Sequence, residues 1–303
     1  MTRGRRAPDA GRMVPPEPSI VDLHAHTSRS DGLLAPWALV ADAAAAGIRT
    51  LAITDHDTLA GYREVVAGGA PLPAGLALIP GVEINAVAGG LDLPDGELHV
   101  VGLGVDPGDD AFEAALAGQR GGRRRRFERM AARLRAAGLA VDDQLAGLDT
   151  ANDDALGRPT LARALVAAGF ATSVQDAFAR FVGRGGPGYV PREGLGPLEA
   201  IRAIRGAGGI PVLAHFSAAP SRMVLLQQLR EAGLRGLEVH HRSFDAATVA
   251  AVAAVARELG LLPSGGTDYH GDDETYAEAI AETWVPPGIA DGVLVALETR
   301  LPA

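Results

Sequence analysis

The stretch VDLHAHTSRSDG, residues 21–32, decides how the chain is read. It sets His24, His26 and Asp31 within eight residues, directly after the short apolar run 20–23. That run reads as a buried strand. Side chains alternate along a strand with period two, so His24 and His26 share a face. Two imidazoles at a strand end, followed by a carboxylate, suit a metal ion. Thr27, Ser28, Ser30 and Gly32 read as the loop that follows. Taken alone, an HxH pair fits two structural histidines on backbone hydrogen bonds as well, so the rest of the chain must decide.

Working outward, residues 36–47 open with Pro and close with Gly, the punctuation of a helix. Residues 50–54 (TLAIT) read as a strand ending at Asp55-His56-Asp57, and Thr58 can cap the helix after it. Residues 76–84 read as a third strand, interrupted at Pro80-Gly81 and carrying Glu83; residues 98–105 read as a fourth, beginning near His99. From 107 to 191 the sequence turns helical and rich in Ala and Arg. Residues 112–137 form one long helix or two joined at Gly121-Gly122, and 160–169 and 174–182 form shorter ones. Alternation then resumes, with helices over 198–207, 221–232 and 245–259 and strands over 210–215, 237–239 and 261–268.

About seven parallel strands with helices between them predict an α/β fold. In such folds the active site lies at the carboxyl ends of the strands. Most strands here end in a metal-ligating residue: His24 and His26, Asp55-His56, Glu83, His215, Glu238 with His240-His241, and Asp268 with His270. His99 is the exception, since it starts its strand. Seven of the eight histidines fall at or just after these positions, and the helical segment 107–191 contains none. The connections alone fit an open sheet or a closed barrel; a ring of strand-end ligands is easier to build on a barrel. The chain thus divides into a disordered tail (1–18), a first barrel part (19–106), a helical insertion (107–191) and a second barrel part (192–303).

Composition narrows the chemistry. The 303 residues, 47% apolar, can bury a sizeable core. Cysteine is absent, so there is no disulfide, thiolate site or Cys nucleophile. All 28 basic residues are arginine, which removes Schiff-base lysines and the lysine of a P-loop. A metal site must use His, Asp and Glu, ligands that suit Mn, Fe or Zn. The net charge of −9 argues against a broad nucleic-acid-coating surface. With no signal-like or membrane-spanning run, a cytoplasmic location is expected.

At this point the motifs carry a resemblance. DLHAHTSRSDG (22–32), ITDHDT (53–58), GVEIN (81–85), ELHVVG (97–102), GRPTLARALVAAG (157–169), GRGGPGYVPRE (183–193), GGIPVLAH (208–215) and SGGTDYH (264–270) occur in this order. Together they resemble the PHP (polymerase and histidinol phosphatase) superfamily of metal-dependent phosphoesterases. Within it they are most similar to stand-alone bacterial 3′,5′-nucleotide bisphosphate phosphatases and 5′-to-3′ exoribonucleases. The resemblance implies a distorted, TIM-like (β/α)7 barrel with a helical insertion. It also implies three divalent metals, manganese first, with Fe, Zn or Mg as alternatives. Carried over position by position, it implies the ligands His24, His26, Asp31, His56, Glu83, His99, His215, Asp268 and His270. Glu83 would bridge two metals, and Asp31, His56 and His270 would hold the third. Two positions depart from the family pattern: Thr160 stands where His is usual, and Phe216 where Pro is usual.

The reaction expected is hydrolysis of a phosphate monoester or diester by a metal-bound hydroxide, with no protein nucleophile. Metals lower the pKa of bound water from roughly 15.7 to about 7 and offset phosphoryl charge. The substrate would be a phosphorylated small molecule, nucleotide or short RNA, with no membrane and no obligate protein partner. Arg158 and Arg184, with Thr160, are the candidates for substrate phosphate, since arginine meets phosphate with a planar fork of donors. Arg192 is a further candidate. The basic run from Arg120 to Arg135 reads as a solvated helix face, guidance of a polyanion being the alternative. Asp55 and Asp57 flank His56 and are placed to orient it, and at most one of His240 and His241 can point inward. The competing readings are a histidinol-phosphatase-like small-molecule phosphatase, a hydrolase of another bond such as an amidohydrolase, and a non-catalytic metal-binding module.

Overall fold

The computed structural model describes residues 18–89, 96–146, 156–271 and 274–299. The expected tail lies outside these residues except for Pro18. Seven strands form one sheet in chain order: β1 (Val21–Ala25), β2 (Thr50–Ile53), β3 (Ala77–Val87), β4 (Glu97–Leu103), β5 (Ile210–Leu213), β6 (Gly236–His241) and β7 (Leu262–Gly266). The first three run parallel, as do the last three. The sheet curls into a nearly closed barrel. Past the end of β7, Asp268 N donates to His24 O at 2.7 Å, and His26 N donates to Tyr269 O at 3.0 Å.

The all-parallel expectation fails at β4, which pairs antiparallel with both β3 and β5. Only residues 88–96 join β3 to β4, too few for a parallel crossover, which takes a dozen or more. The expected break at Pro80-Gly81 does not occur either. Pro80 pairs with Ile53, the last residue of β2, where the ladder asks least of its missing N–H.

Outside the barrel, β1 and β2 turn Ala25, Leu51 and Ile53 toward α1 (Pro36–Ala45), with α2 (Ala60–Ala67) beside it. Thr58 Oγ1 accepts from Ala60 N at the start of α2. Between β4 and β5 come α3 (Asp110–Ala136), α4 (Asp142–Leu145), α5 (Arg158–Ala167) and α6 (Val174–Ala177), the last continued by a π turn, Phe178–Val182. The long helix α3 is capped by Asp109, whose side chain accepts from Phe112 N, and it passes Gly121-Gly122 unbroken. Phe127, Met130 and Leu134 of α3 share a core with Leu161 and Leu165 of α5, separate from the cores around the barrel.

The outward faces of β3 to β6 bury Ile84, Val100, Leu213 and Leu237 under α7 (Pro197–Gly206), α8 (Met223–Glu231) and α9 (Ala246–Leu259). Next come α10 (Tyr276–Glu282), which packs on α1, and α11 (Gly288–Glu298). Val21, Leu23, Ile79, Leu103 and Ile210 cluster with Ile289 and Val293 of α11. These residues come from the amino ends of the parallel strands and the carboxyl end of β4. Helix α11 therefore plugs that end of the barrel and leaves the other end to polar groups. No helix among the described residues is long and apolar enough to cross a membrane.

Candidate metal centre

The polar strand ends meet at one mouth of the barrel. β1 carries His24, with His26 and Asp31 just beyond it; His56 follows β2; Glu83 lies in β3; His215 follows β5; Asp268 and His270 follow β7. The apparent exception at His99 is a matter of direction. Because β4 is antiparallel, its start lies beside the carboxyl ends of its neighbours, and His99 pairs with Asn85, two residues past Glu83.

These nine side chains converge in three groups, in each of which the ligand atoms lie within 4.8 Å of one another. The first is His24, His26, Glu83 and Asp268. His24 Nε2 lies 3.3 Å from Glu83 Oε2 and 3.4 Å from Asp268 Oδ1, and His26 Nε2 lies 3.2 Å from each of the same oxygens. The second group is His26, Asp31, His56 and His270, with Asp31 Oδ1 at 3.3 Å from His270 Nε2 and Oδ2 at 3.6 Å from His56 Nε2. The third is Glu83, His99 and His215, with Glu83 Oε1 at 2.8 Å from His99 Nδ1 and 3.1 Å from His215 Nε2. Glu83 thus offers one oxygen to each of two groups, and the ring of His26 stands between the first and the second.

The donor set fits divalent metals. Nitrogen and carboxylate oxygen are the ligands of Mn, Fe and Zn. Five buried donor atoms, His24 Nε2, both ring nitrogens of His26, Asp31 Oδ1 and Glu83 Oε2, have no hydrogen-bond partner among the described residues. Buried polar atoms left unpaired are rare and costly, and a cation in each of the first two groups would satisfy these. The electrostatics agree. Burial opposes ionisation of Asp31, but the imidazoles of His56 and His270 outweigh it and hold the carboxyl well below its usual range. Glu83 and Asp268 behave alike, burial being overcome chiefly by His56 for Glu83 and by His24 for Asp268. Burial also works against a charged His26, yet Asp268 and Glu83 lift its pKa to about 10. His24 and His270 are raised as well, whereas burial holds His56 well below its usual value, so in the metal-free protein protons compete with a metal for part of this ligand set.

The backbone is bent to make the site. The non-glycine residues at positive φ among those described are Asp57, His215 and Asp268, each a few residues past the carboxyl end of a parallel strand. Such conformations cost about 1–2 kcal/mol each and gather at functional sites. Gly266 sits where a Cβ would come within 2.5 Å of His24 Cβ and His24 N. Nearby, the buried carboxylate of Asp22 accepts from Thr267 N, Thr267 Oγ1 and Tyr276 Oη, tying β1 to the turn that carries Asp268.

Glu238 buttresses two of these histidines. Its Oε1 lies 3.0 Å from His24 Nδ1, and its Oε2 accepts from His215 N at 2.6 Å. This turns His24 Nε2 toward Glu83 and Asp268. The register of β6 slips between Glu238 and His240. The slip lets Glu238 and His241 both face the centre, His241 Nε2 lying 3.4 Å from Asp268 Oδ2. His240 instead packs against Trp284, where burial pushes its pKa down to about 4.

Asp55 and Asp57 do not orient His56 as expected. Asp55 accepts from Thr27 N, Thr27 Oγ1 and Ser30 Oγ and so clamps the loop after β1. Asp57 pairs with Arg123 at 2.6 Å. Chain geometry explains both, since each neighbour of His56 faces away from it toward a partner brought by another segment. The solvated-face reading of the arginine run holds for Arg125, Arg129 and Arg133, which are exposed, and fails for Arg123 and Arg126, which are buried. Those two occupy the inward stripe of α3 set by Leu116, Gln119, Phe127 and Met130. Arg126, Arg158 and Arg192 approach Glu97 at 3.3, 3.9 and 3.4 Å. Thr160 is buried on the first turn of α5, and Arg184 is exposed on the loop after the π turn. Phe216 is buried in the outer apolar layer.

Comparison with known proteins follows the same lines. The family model described as the PHP domain matches residues 22–186. The chain is 33% identical over 287 residues to the 3',5'-nucleoside bisphosphate phosphatase of Chromobacterium violaceum, covering 93% of this chain and 97% of the relative. It is 36% identical over 286 residues to the 5'-3' exoribonuclease Rnm of Escherichia coli, covering 89% and 91%. A solved structure from Bifidobacterium adolescentis, described as a candidate metal-dependent phosphoesterase, superposes with a TM-score of 0.78 at 33% identity, covering 92% of this chain and 98% of that one. Another from Chromobacterium violaceum, described as an amidohydrolase with bound sulfate and no metal, gives 0.79 at 33% identity, covering 93% and 97%.

Proposed function

The chain is a metal-dependent phosphoesterase of the PHP family, and on that footing we propose that it hydrolyses nucleotide phosphates, either a 3',5'-bisphosphate or the 5' end of a short RNA. The observation that carries this reading is the convergence of nine His, Asp and Glu side chains into three linked groups, two of which hold unpaired, buried donor atoms. We assign one divalent metal, manganese first, to each group. When bound, such metals offset charge on phosphoryl oxygens and acidify water at neutral pH.

The protein's own part is arrangement. Asp31, Glu83 and Asp268 stay ionised despite burial, so their oxygens are ready as ligands. Glu83 spans two groups with its two oxygens and fixes their spacing. Glu238 holds the outer nitrogen of His24 and leaves the inner one for the site. Arg158, at the start of α5, presents its guanidinium to the substrate phosphate, with Thr160 one position past Pro159 and Arg184 from the neighbouring loop. A hydroxyl at Thr160 can donate a hydrogen bond but carries no charge, so this contact orients the substrate rather than offsetting its charge.

The test is metal analysis of purified protein, then assay with manganese against 3'-phosphoadenosine 5'-phosphate, 5'-phosphorylated short RNA and histidinol phosphate. Release of phosphate or nucleotide from the first two supports the proposal. Turnover of histidinol phosphate alone would move the substrate to small-molecule phosphates. Metal-loaded protein inert on all three would refute the nucleotide reading.

A further inference from the structure

His241 faces the centre, yet it belongs to none of the three ligand groups. Strand alternation from Glu238 would turn His240 inward and His241 outward. The register slip between Glu238 and His240 reverses this and buries His241 beside Asp268. Slips of this kind re-aim a side chain and gather beside active sites. The ring is held by its neighbours. It meets Phe244 edge-on with 5.4 Å between centroids, and the His215 ring lies 5.5 Å away. Phe244 N donates to His241 O at 2.9 Å, which closes the turn after β6.

Hydrogen bonds fix which ring nitrogen carries the proton. Ser243 N donates to His241 Nδ1 at 3.2 Å, and Ser243 Oγ lies 2.7 Å from the same atom. A backbone N–H can only donate, so Nδ1 accepts and the proton sits on Nε2. A histidine that ligated a metal through Nε2 would need its proton on Nδ1, where Ser243 N already donates. The Nε2–H of His241 instead points at Asp268 Oδ2, 3.4 Å away. Asp268 Oδ1 is the oxygen that lies 3.4 Å from His24 Nε2 and 3.2 Å from His26 Nε2. The two oxygens of Asp268 are thus divided, one toward the first group and one toward His241. Asp268 itself sits at φ 49°, a conformation that its surroundings must hold in place.

We propose that His241 is a positioning residue: it donates Nε2–H to Asp268 Oδ2, fixes the rotation of that carboxylate, and leaves Oδ1 for the first group. It is a donor to a ligand and not a ligand itself. Partners of this kind raise metal affinity by about 10- to 100-fold. Glu238 restrains His24 and His215 from β6, and His241 restrains Asp268 from the same strand. The slip between them is what lets one strand serve both. This rests on the metal reading given above and extends it to a residue outside the ligand set.

Two measurements on the full-length protein test this without turnover. With isotope-labelled histidine, long-range nitrogen–proton correlation spectra report the tautomer of each ring, the His241 signals being those absent from His241→Gln. His241 should carry its proton on Nε2 in chelator-stripped protein and keep it after loading with zinc, a diamagnetic probe. A proton on Nδ1 would overturn the assignment, and loss of the Nε2 proton on loading would make His241 a ligand instead. Calorimetric titration of stripped protein with manganese gives the second readout. His241→Met should weaken one class of site by about 10- to 100-fold and leave the class from Asp31, His56 and His270 unchanged. His241→Gln keeps an N–H donor of similar reach and should recover most of that loss. Parental affinity in His241→Met, or equal weakening in both variants, would overturn the role. Should His241→Met fail to fold, the spectra carry the test. A parent protein that binds no manganese would sink the metal reading and this role with it, whereas the earlier outcomes sink the role alone.

Discussion

Glu238→Gln tests how the centre is held without touching a proposed ligand. The side chain keeps its volume, so the buried surroundings need not collapse. What it loses is one acceptor. Glu238 serves two groups at once, His24 Nδ1 at 3.0 Å and His215 N at 2.6 Å. A glutamine has one carbonyl oxygen and must turn its amide NH2 toward the other. If the NH2 meets His215 N, the backbone of a residue already at φ 32° loses its restraint. If it meets His24 Nδ1, it favours the tautomer protonated on Nε2, whose proton must leave before a metal can bind. Either way a charge-assisted hydrogen bond is lost, worth about 1.5–3 kcal/mol, or about 10- to 150-fold in an equilibrium. That range overlaps the roughly 10- to 100-fold losses of metal affinity seen when a buttressing residue is removed. Calorimetric titration of chelator-stripped protein with manganese should show the weakened class of site alongside an unchanged one from Asp31, His56 and His270. A titration superimposable on that of the parent would refute the role given to Glu238.

Other consequences follow from the same contacts. His24→Ala and Asp268→Ala should each lower turnover by more than the roughly 100-fold typical of a mere buttress, with the circular dichroism of the parent retained; full activity in either would remove that residue from the centre. Gly266→Ala would press a methyl against the backbone and Cβ of His24 at 2.5 Å, so its thermal midpoint should fall, and an unchanged midpoint would show that β1 and β7 are less tightly locked than they look. The metal-free protein should respond to pH in a definite sense. His26, raised to about 10 in the fold, contributes stability in full below its unfolded value of about 6.5 and loses it as pH climbs toward 10. The depressed carboxyls of Asp31, Glu83 and Asp268 contribute above their unfolded values of about 4 and lose that as pH falls. His56, held well below its usual value by burial, works the other way and costs stability below about 6.5. The midpoint in chelator should therefore peak at about pH 6.5 and decline above it, while the gap between manganese-loaded and stripped protein widens with pH; a flat profile from about pH 6.5 to 9.5 would contradict this coupling.

What could be read from the chain depended on how local the determining contact is. The strand-end ligands were legible because side-chain alternation and strand polarity act over a few residues, as between His24 and His26. The direction of β4 was not, since an apolar run reads alike both ways; the only clues were the brief link from β3 and a histidine at the wrong end. The slip in β6 hid similarly, because nothing in GLEVHH says that Glu238 and His241 face one way and His240 the other. Arg123 was the hardest case. In a run of four arginines there is no polar–apolar contrast to give the phase, and the inward stripe shows only when Leu116, Phe127 and Met130 are counted on either side. Its partner Asp57 lies 66 residues away, brought near by the docking of α3 on the mouth of the barrel. The candidate metal groups are built from strand ends that the barrel itself aligns, whereas the Arg123–Asp57 pair forms only where α3 docks on the barrel. Substitutions that loosen α3 from the barrel should therefore break the Arg123–Asp57 pair before they weaken metal binding.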